Sequence, residues 1–300
     1  MKINTKLLLS FLVLFTTSVQ ADINILTCEP EWAALAKEIG GNKIKVNSAT
    51  TALQDPHHIE ARPSLIAKAR RADMLLCTGA ELELGWLPLL IKKSGNSNIR
   101  QGKPGHFMAT DHVQLLDKHA KVTRSMGDVH ASGNPHIQTD PRKILQVAAA
   151  LTEKMKLVDQ GQANHYQQGF NQFKQKWQKA MQNWQSKAQT LKGANIVVHH
   201  KSWIYLEDWL GLKEVATLEP KPGIPPSSKH LSNLLQKLKS APAKMVIYSS
   251  YQNPRSANWL ASKTGISAVK IPSTVGGTPT AKNLFSLFDD IINRLLKANK

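Results

Sequence analysis

Across residues 160–191 the chain contains no proline and, after Gly169, no glycine, while Phe170, Phe173, Trp177, Met181 and Trp184 recur at spacings of three and four. This is one apolar stripe on an otherwise polar rod, the pattern of an amphipathic helix. A helix of roughly thirty residues is about 45 Å long, more than one small domain needs. Such a rod serves as a stiff spine joining two lobes, so the segments on either side of it are read separately.

Both segments alternate strand and helix. In the first, an apolar run over 23–27 ends at Cys28 and leads into an amphipathic helix over 31–39, closed by Gly40-Gly41. Residues 43–47 alternate like a strand, a loop covers 49–62, and Pro63-Ser64 opens a helix through Arg71. A strand runs to Cys77, Leu82, Trp86, Leu87 and Leu90 mark a helical face over 79–93, and Asp140-Pro141 starts a helix to about 155. Beyond Gly193, strands are expected over 196–199, 244–249 and 268–271, with helices over 203–210, 256–264 and 284–296. This alternation predicts an α/β protein built from parallel sheets flanked by helices. The expected division is an N-terminal lobe over 22–158, a linking helix over 159–191 and a C-terminal lobe over 192–300, because about 280 residues exceed one small core.

Lys2 and Lys6, the apolar residues 7–15 and Val19-Gln20-Ala21 have the form of a secretory signal peptide, which places the mature start at Asp22. Nothing later approaches about 18 consecutive apolar residues, and no lipid-attachment cysteine follows the leader, so a soluble periplasmic protein is expected. The formal charge is +18, and +16 without Lys2 and Lys6. A nucleic-acid partner is discounted, because the basic residues are scattered over helical faces such as Lys174-Gln175-Lys176 and the chain carries an export signal. The positive charge also repels cations at long range, so any metal must be held by local ligation. Cys28 and Cys77 each end a strand-like run. In an exported parallel-sheet protein they are either a disulfide between neighbouring strand ends or two buried thiols.

Three histidines sit in loops or at element ends: His57 in Asp55-Pro56-His57, His136 in Gly133-Asn134-Pro135-His136, and His200 directly after the strand 196–199. Parallel sheets bind ligands beyond the carboxyl ends of their strands, where one interlobe cleft would receive all three. Three neutral imidazoles suit a borderline-soft divalent cation, zinc above all.

Read together, these loops resemble those of the periplasmic solute-binding proteins of zinc- and manganese-type ABC importers. Asp55-Pro56-His57-His58 with Arg62-Pro63-Ser64 is similar to that family's first ligand loop, which selects His57 over His58. Gly133-Asn134-Pro135-His136 with Asp140-Pro141 is similar to the second, and Val198-His199-His200-Lys201-Ser202-Trp203 with Tyr205 to the third, which selects His200 over His199. The resemblance covers residues 22–300 and implies two Rossmann-like lobes joined by a long rigid helix, with Zn2+ in the cleft between them. It further implies delivery of the metal to a membrane permease driven by a cytoplasmic ATPase, by a receptor expected to act as a monomer.

The chain departs from that family in two places. The second-lobe loops 248–252 and 272–277, where a fourth carboxylate ligand often stands, contain none, and the histidine-rich acidic insertion is replaced by only His106, His112, His119 and His130. A fourth position is then left to water or to an acid such as Glu219; Asp128 and His130 are read as polar loop residues, with a helper or accessory site as the alternative. Lack of a carboxylate disfavours manganese, which prefers oxygen donors. Two alternatives compete with a zinc receptor. One is a receptor for another soft metal or a metal chelate. The other is a zinc hydrolase, for which the chain offers neither a clear general base nor an oxyanion site, so no enzyme is expected.

Overall fold

The computed structural model describes residues 22–300, and the expected signal peptide lies outside them. In chain order the elements are β1 (Ile23–Thr27), α1 (Pro30–Gly40), β2 (Ile44–Ser48), α2 (Pro63–Arg70), β3 (Met74–Cys77), α3 (Leu87–Ser94), β4 (His106–Met108), α4 (Pro141–Val158) and α5 (Ala163–Lys187). They continue with β5 (Asn195–Val198), α6 (Ile204–Leu210), β6 (Lys213–Thr217), α7 (Ser228–Ser240), β7 (Met245–Ser249), α8 (Arg255–Thr264), β8 (Ser267–Ile271) and α9 (Leu284–Ala298). The strands form two four-stranded sheets in the orders β2-β1-β3-β4 and β6-β5-β7-β8. Every pairing is parallel, as the strand-helix alternation predicts. The central strands β3 and β7 are buried along their whole length, because helices cover both faces of a parallel sheet.

Short 3-10 turns at 160–162 and 188–191 extend α5 at both ends, making the expected rod continuous. One apolar core runs from Ile25 and Trp32 in the first lobe, through Tyr166, Phe173, Trp177 and Trp184 on α5, to Phe288 and Leu295 on α9. Trp177 is fully buried, with ring centroids of Phe173 and Phe285 at 5.0 Å and of Trp184 at 5.1 Å. Its indole N–H donates to the Pro141 carbonyl at 2.9 Å, and that of Trp184 to Asp289 Oδ1 at 2.8 Å. The stripe therefore ties α5 to α4 and to α9, so the spine is core material for both lobes. Gly169 lies where α5 crosses the end of α1: a Cβ there would stand 2.1 Å from the Ile39 carbonyl oxygen.

Cys28 and Cys77 form a disulfide across the adjacent ends of β1 and β3, with Cα atoms 4.7 Å apart. Side chains cap the starts of α4 and α9. Asp140 accepts from the Arg142 N–H ahead of Pro141, and Asn283 and Ser286 form a capping box at α9. The helix expected from residue 79 instead begins at Leu87. Gly79, Ala80 and Glu81 all have positive φ, and the Glu83 carboxylate turns back onto the Thr78 and Gly79 amides at 2.7 and 3.1 Å. Among the described residues no helix is long and apolar enough to cross a membrane.

Candidate metal centre

The loops that follow β2 and β5 meet the loop before α4, so His57, His200 and His136 converge from separate parts of the chain. One ring nitrogen from each lies within 4.8 Å of those of the other two. The ring centroids form a nearly equilateral triangle with sides of 5.7, 5.8 and 5.7 Å. All three residues are nearly closed off from solvent, with exposures of 9, 3 and 6% for His57, His136 and His200.

Two of the rings are oriented from behind by carboxylates. His57 Nδ1–H donates to Asp55 Oδ1 at 2.8 Å, and His200 Nδ1–H donates to Glu219 Oε2 at 2.7 Å. An acceptor-only carboxylate keeps the proton on Nδ1 and turns a basic Nε2 toward the cleft, the usual support of a metal-binding imidazole. Nε2 of His57 and Nε2 of His136 are buried with no hydrogen-bond partner. Unpaired buried acceptors are costly, and a shared cation would satisfy them.

Glu219, the acid offered beside water for the fourth position, is engaged with neighbouring groups. Its Oε2 is taken by His200 and by the Gly223 N–H at 2.9 Å, and its Oε1 stands 3.8 Å from His199 Nε2. Asp128 sits at the rim, where its backbone N–H donates to the Pro222 carbonyl of the second lobe at 2.9 Å. His58 is exposed, and His199 is buried but outside the triangle. His165 and His230 serve the fold, pairing with the carbonyls of Gly40 at 2.9 Å and Thr217 at 3.0 Å.

Burial is the largest influence on the titrating groups. It holds the His136 imidazole well below the ordinary histidine range, with the charges of His200 and His57 acting in the same direction. His130 is pushed down to about 4 by burial and then by His57 and His200. Both are neutral at pH 7, as a ligand must be. For Asp55, burial works to raise the pKa, but the His57 hydrogen bond and charge outweigh it and hold the carboxylate low.

Several residues that join the lobes were not singled out for this by sequence. Asn134 Nδ2–H donates to the Lys201 carbonyl at 2.7 Å, linking the loop of His136 directly to that of His200. The Tyr205 hydroxyl, expected as core, donates to the Asn134 carbonyl at 2.6 Å and accepts from the Leu116 N–H at 3.1 Å. Two buried glutamates, Glu29 and Glu31, line a small cavity together with His136, and a third, Glu83, lies against Glu29. Desolvation raises all of them, Glu31 and Glu83 to about 7, and Glu31 accepts a hydrogen bond from Thr274 of the opposite lobe. Asp-x-His was the readable trace of the Asp55 support; the partners of Asn134 and Glu31 are too distant in sequence to leave one.

Two α/β lobes on a shared helical spine, with a cleft lined by imidazoles at the carboxyl ends of both sheets, define the class of two-lobed solute-binding proteins. The chain belongs to the family described as zinc-uptake complex component A, periplasmic (ZnuA), whose model matches residues 25–298. This is a family of uptake-complex binding components and not of enzymes. Among individual relatives, the chain is 29% identical over 157 residues to the manganese ABC transporter substrate-binding lipoprotein PsaA of Streptococcus pneumoniae, covering 46% of this chain and 49% of that protein. It is 26% identical over 175 residues to the metal ABC transporter substrate-binding lipoprotein SloC of Streptococcus mutans, covering 56% and 54%. The chain thus spans about half the length of the curated relatives it matches. A crystal structure of ZnuA shares the fold with a TM-score of 0.77 at 20% identity, covering 93% of this chain and 100% of that one. The manganese-bound periplasmic metal binding protein of Candidatus Liberibacter asiaticus does so with a TM-score of 0.74 at 15% identity, covering 93% and 100%.

Proposed function

We propose that this protein is the periplasmic receptor of a metal ABC importer, a monomer that captures Zn2+ between its lobes with His57, His136 and His200 and passes it to a membrane permease powered by a cytoplasmic ATPase. The observation that carries the reading is the convergence of three buried imidazoles within 4.8 Å, with no carboxylate oxygen in the set. Nitrogen donors suit zinc, whereas manganese favours oxygen; the nearby acids Asp55 and Glu219 are engaged with the far sides of the rings. His57 and His136 come from the first lobe and His200 from the second, so the bound ion would bridge them. A cavity of about 400 Å3 opens beside His57 and His200, bordered by Tyr251 and Arg255, which keeps a chelated metal as the second reading.

Titrating the metal-stripped protein with zinc against a chromophoric chelator tests this directly. One tight equivalent is expected, lost on His57→Ala, His136→Ala or His200→Ala and retained on His165→Ala or His230→Ala. Zinc binding that ignores the first three substitutions would refute the site. Tight uptake of chelated zinc but not of the free ion would favour the second reading.

A further inference from the structure

A fourth imidazole stands beside the triangle. The ring centroid of His130 lies 5.5 Å from that of His57, closer than any two rings of the triangle stand to each other. Its Nε2 is buried and has no hydrogen-bond partner, while its other side bonds to the Ala80 backbone. It faces a small cavity of about 100 Å3 that His136 and His200 also line.

The loop that carries His130 is anchored at several points. The Asp128 N–H bonds to Pro222, the Ala131 N–H donates to Glu81 Oε2 at 2.9 Å, and the Asn134 N–H donates to the Leu116 carbonyl at 2.8 Å. The left-handed Gly127 and Gly133 bracket it, and a Cβ on Gly127 would stand 2.1 Å from the Pro222 carbonyl oxygen. Glu81 is itself held in a left-handed conformation, which non-glycine residues adopt at a cost. A loop so constrained that it buries an unsatisfied imidazole nitrogen next to three others has the form of a ligand-delivering loop.

We propose that His130 is the fourth donor, completing a four-imidazole tetrahedron around the metal in place of the second-lobe carboxylate that this chain lacks. The inference rests on the receptor reading above. The nitrogen of His130 lies outside the group whose members are within 4.8 Å of one another, so loading the metal would draw this ring inward, a motion open to a side chain facing a cavity. Four neutral donors leave the full double charge on the ion, which matches a site that favours zinc through nitrogen affinity rather than manganese through oxygen.

The test compares wild type, His130→Ala and His130→Asn. Asparagine can still donate to the Ala80 carbonyl but offers no Nε2, so it rescues a purely structural role and fails to rescue a ligand. Zinc-edge X-ray absorption should count four imidazoles in the wild type and three in both variants. Zinc affinity should fall in both by more than the roughly 10- to 100-fold that losing a merely supporting group costs. Three imidazoles in the wild type, or restored affinity in His130→Asn, would overturn the assignment while leaving a His57-dependent receptor intact. Absence of any tight, His57-dependent zinc in the wild type would overturn both readings.

Discussion

At the scale of single residues, the centre is governed by which nitrogen of each imidazole is free. Asp55 and Glu219 decide this for His57 and His200 by occupying Nδ1. Replacing Glu219 with Gln should therefore weaken zinc binding about 10- to 100-fold, as expected for a supporting group, and by less than His200→Ala. A loss equal to that of His200→Ala in the same chelator titration would make Glu219 a ligand after all. The buried glutamates yield a prediction about pH. Glu31 and Glu83 keep a proton up to about pH 7 in the folded protein but release it near 4.3 when unfolded, the ordinary value of about 4.3 for glutamate. Their contribution is fully present below that value and is lost as pH rises through 7. Glu31→Gln removes one such group and leaves an acceptor for Thr274. The melting temperature of the metal-free variant should thus fall less between pH 6 and pH 8 than that of the wild type, and parallel melting curves would contradict the assignment.

At the scale of elements, the long helix was legible because its signal is strong: aromatic residues at helical spacing over many turns admit only one period. The central strands were legible as well, since burial on both faces gives them continuous apolar runs. The strands β4 and β6 were not. β4 is only three residues long, and in β6 the sequence Lys213-Glu214-Val215-Ala216-Thr217 buries only Ala216, so neither carries a readable apolar pattern. Helix α7 was passed over behind the Pro-Gly run that precedes it, and α3 was read too long because a glutamate reaching back to cap a left-handed turn leaves no periodic trace. Gly169 illustrates the same limit. Sequence shows a weak point in a helix, and structure shows a close crossing over Ile39. Gly169→Ala should gain about 1 kcal/mol of helix propensity yet lose about 1–3 kcal/mol to overpacking against backbone that cannot yield. Urea unfolding should show a net loss of stability, and a more stable variant would mean that α1 and α5 separate freely.

At the scale of the whole molecule, the two sheets repeat one strand order and present their carboxyl ends to a common cleft, so the site exists only where the lobes meet. His57, His136 and His200 were marked in the sequence by short contexts and by their resemblance to a family, and the structure brings their rings together. What sequence left open was the work done by acids and amides around them, which depends on contacts between residues as far apart as Glu31 and Thr274 or Asn134 and Lys201. If the ion binds groups from both lobes as proposed, its affinity adds to the stability of the whole. Free zinc at 100 times its dissociation constant should stabilise the protein by about 2.7 kcal/mol, and in His200→Ala the same concentration should leave the unfolding curve unchanged. A shift that persists in the variant would place the metal outside the cleft.

In the proposed receptor a single ion is held between the lobes by His57, His136 and His200. A crystal structure of the zinc-loaded protein with an anomalous difference map at the zinc edge tests it most directly. One strong peak is expected within bonding distance of Nε2 of all three rings. A peak elsewhere, or one that touches histidines of only one lobe, would contradict it.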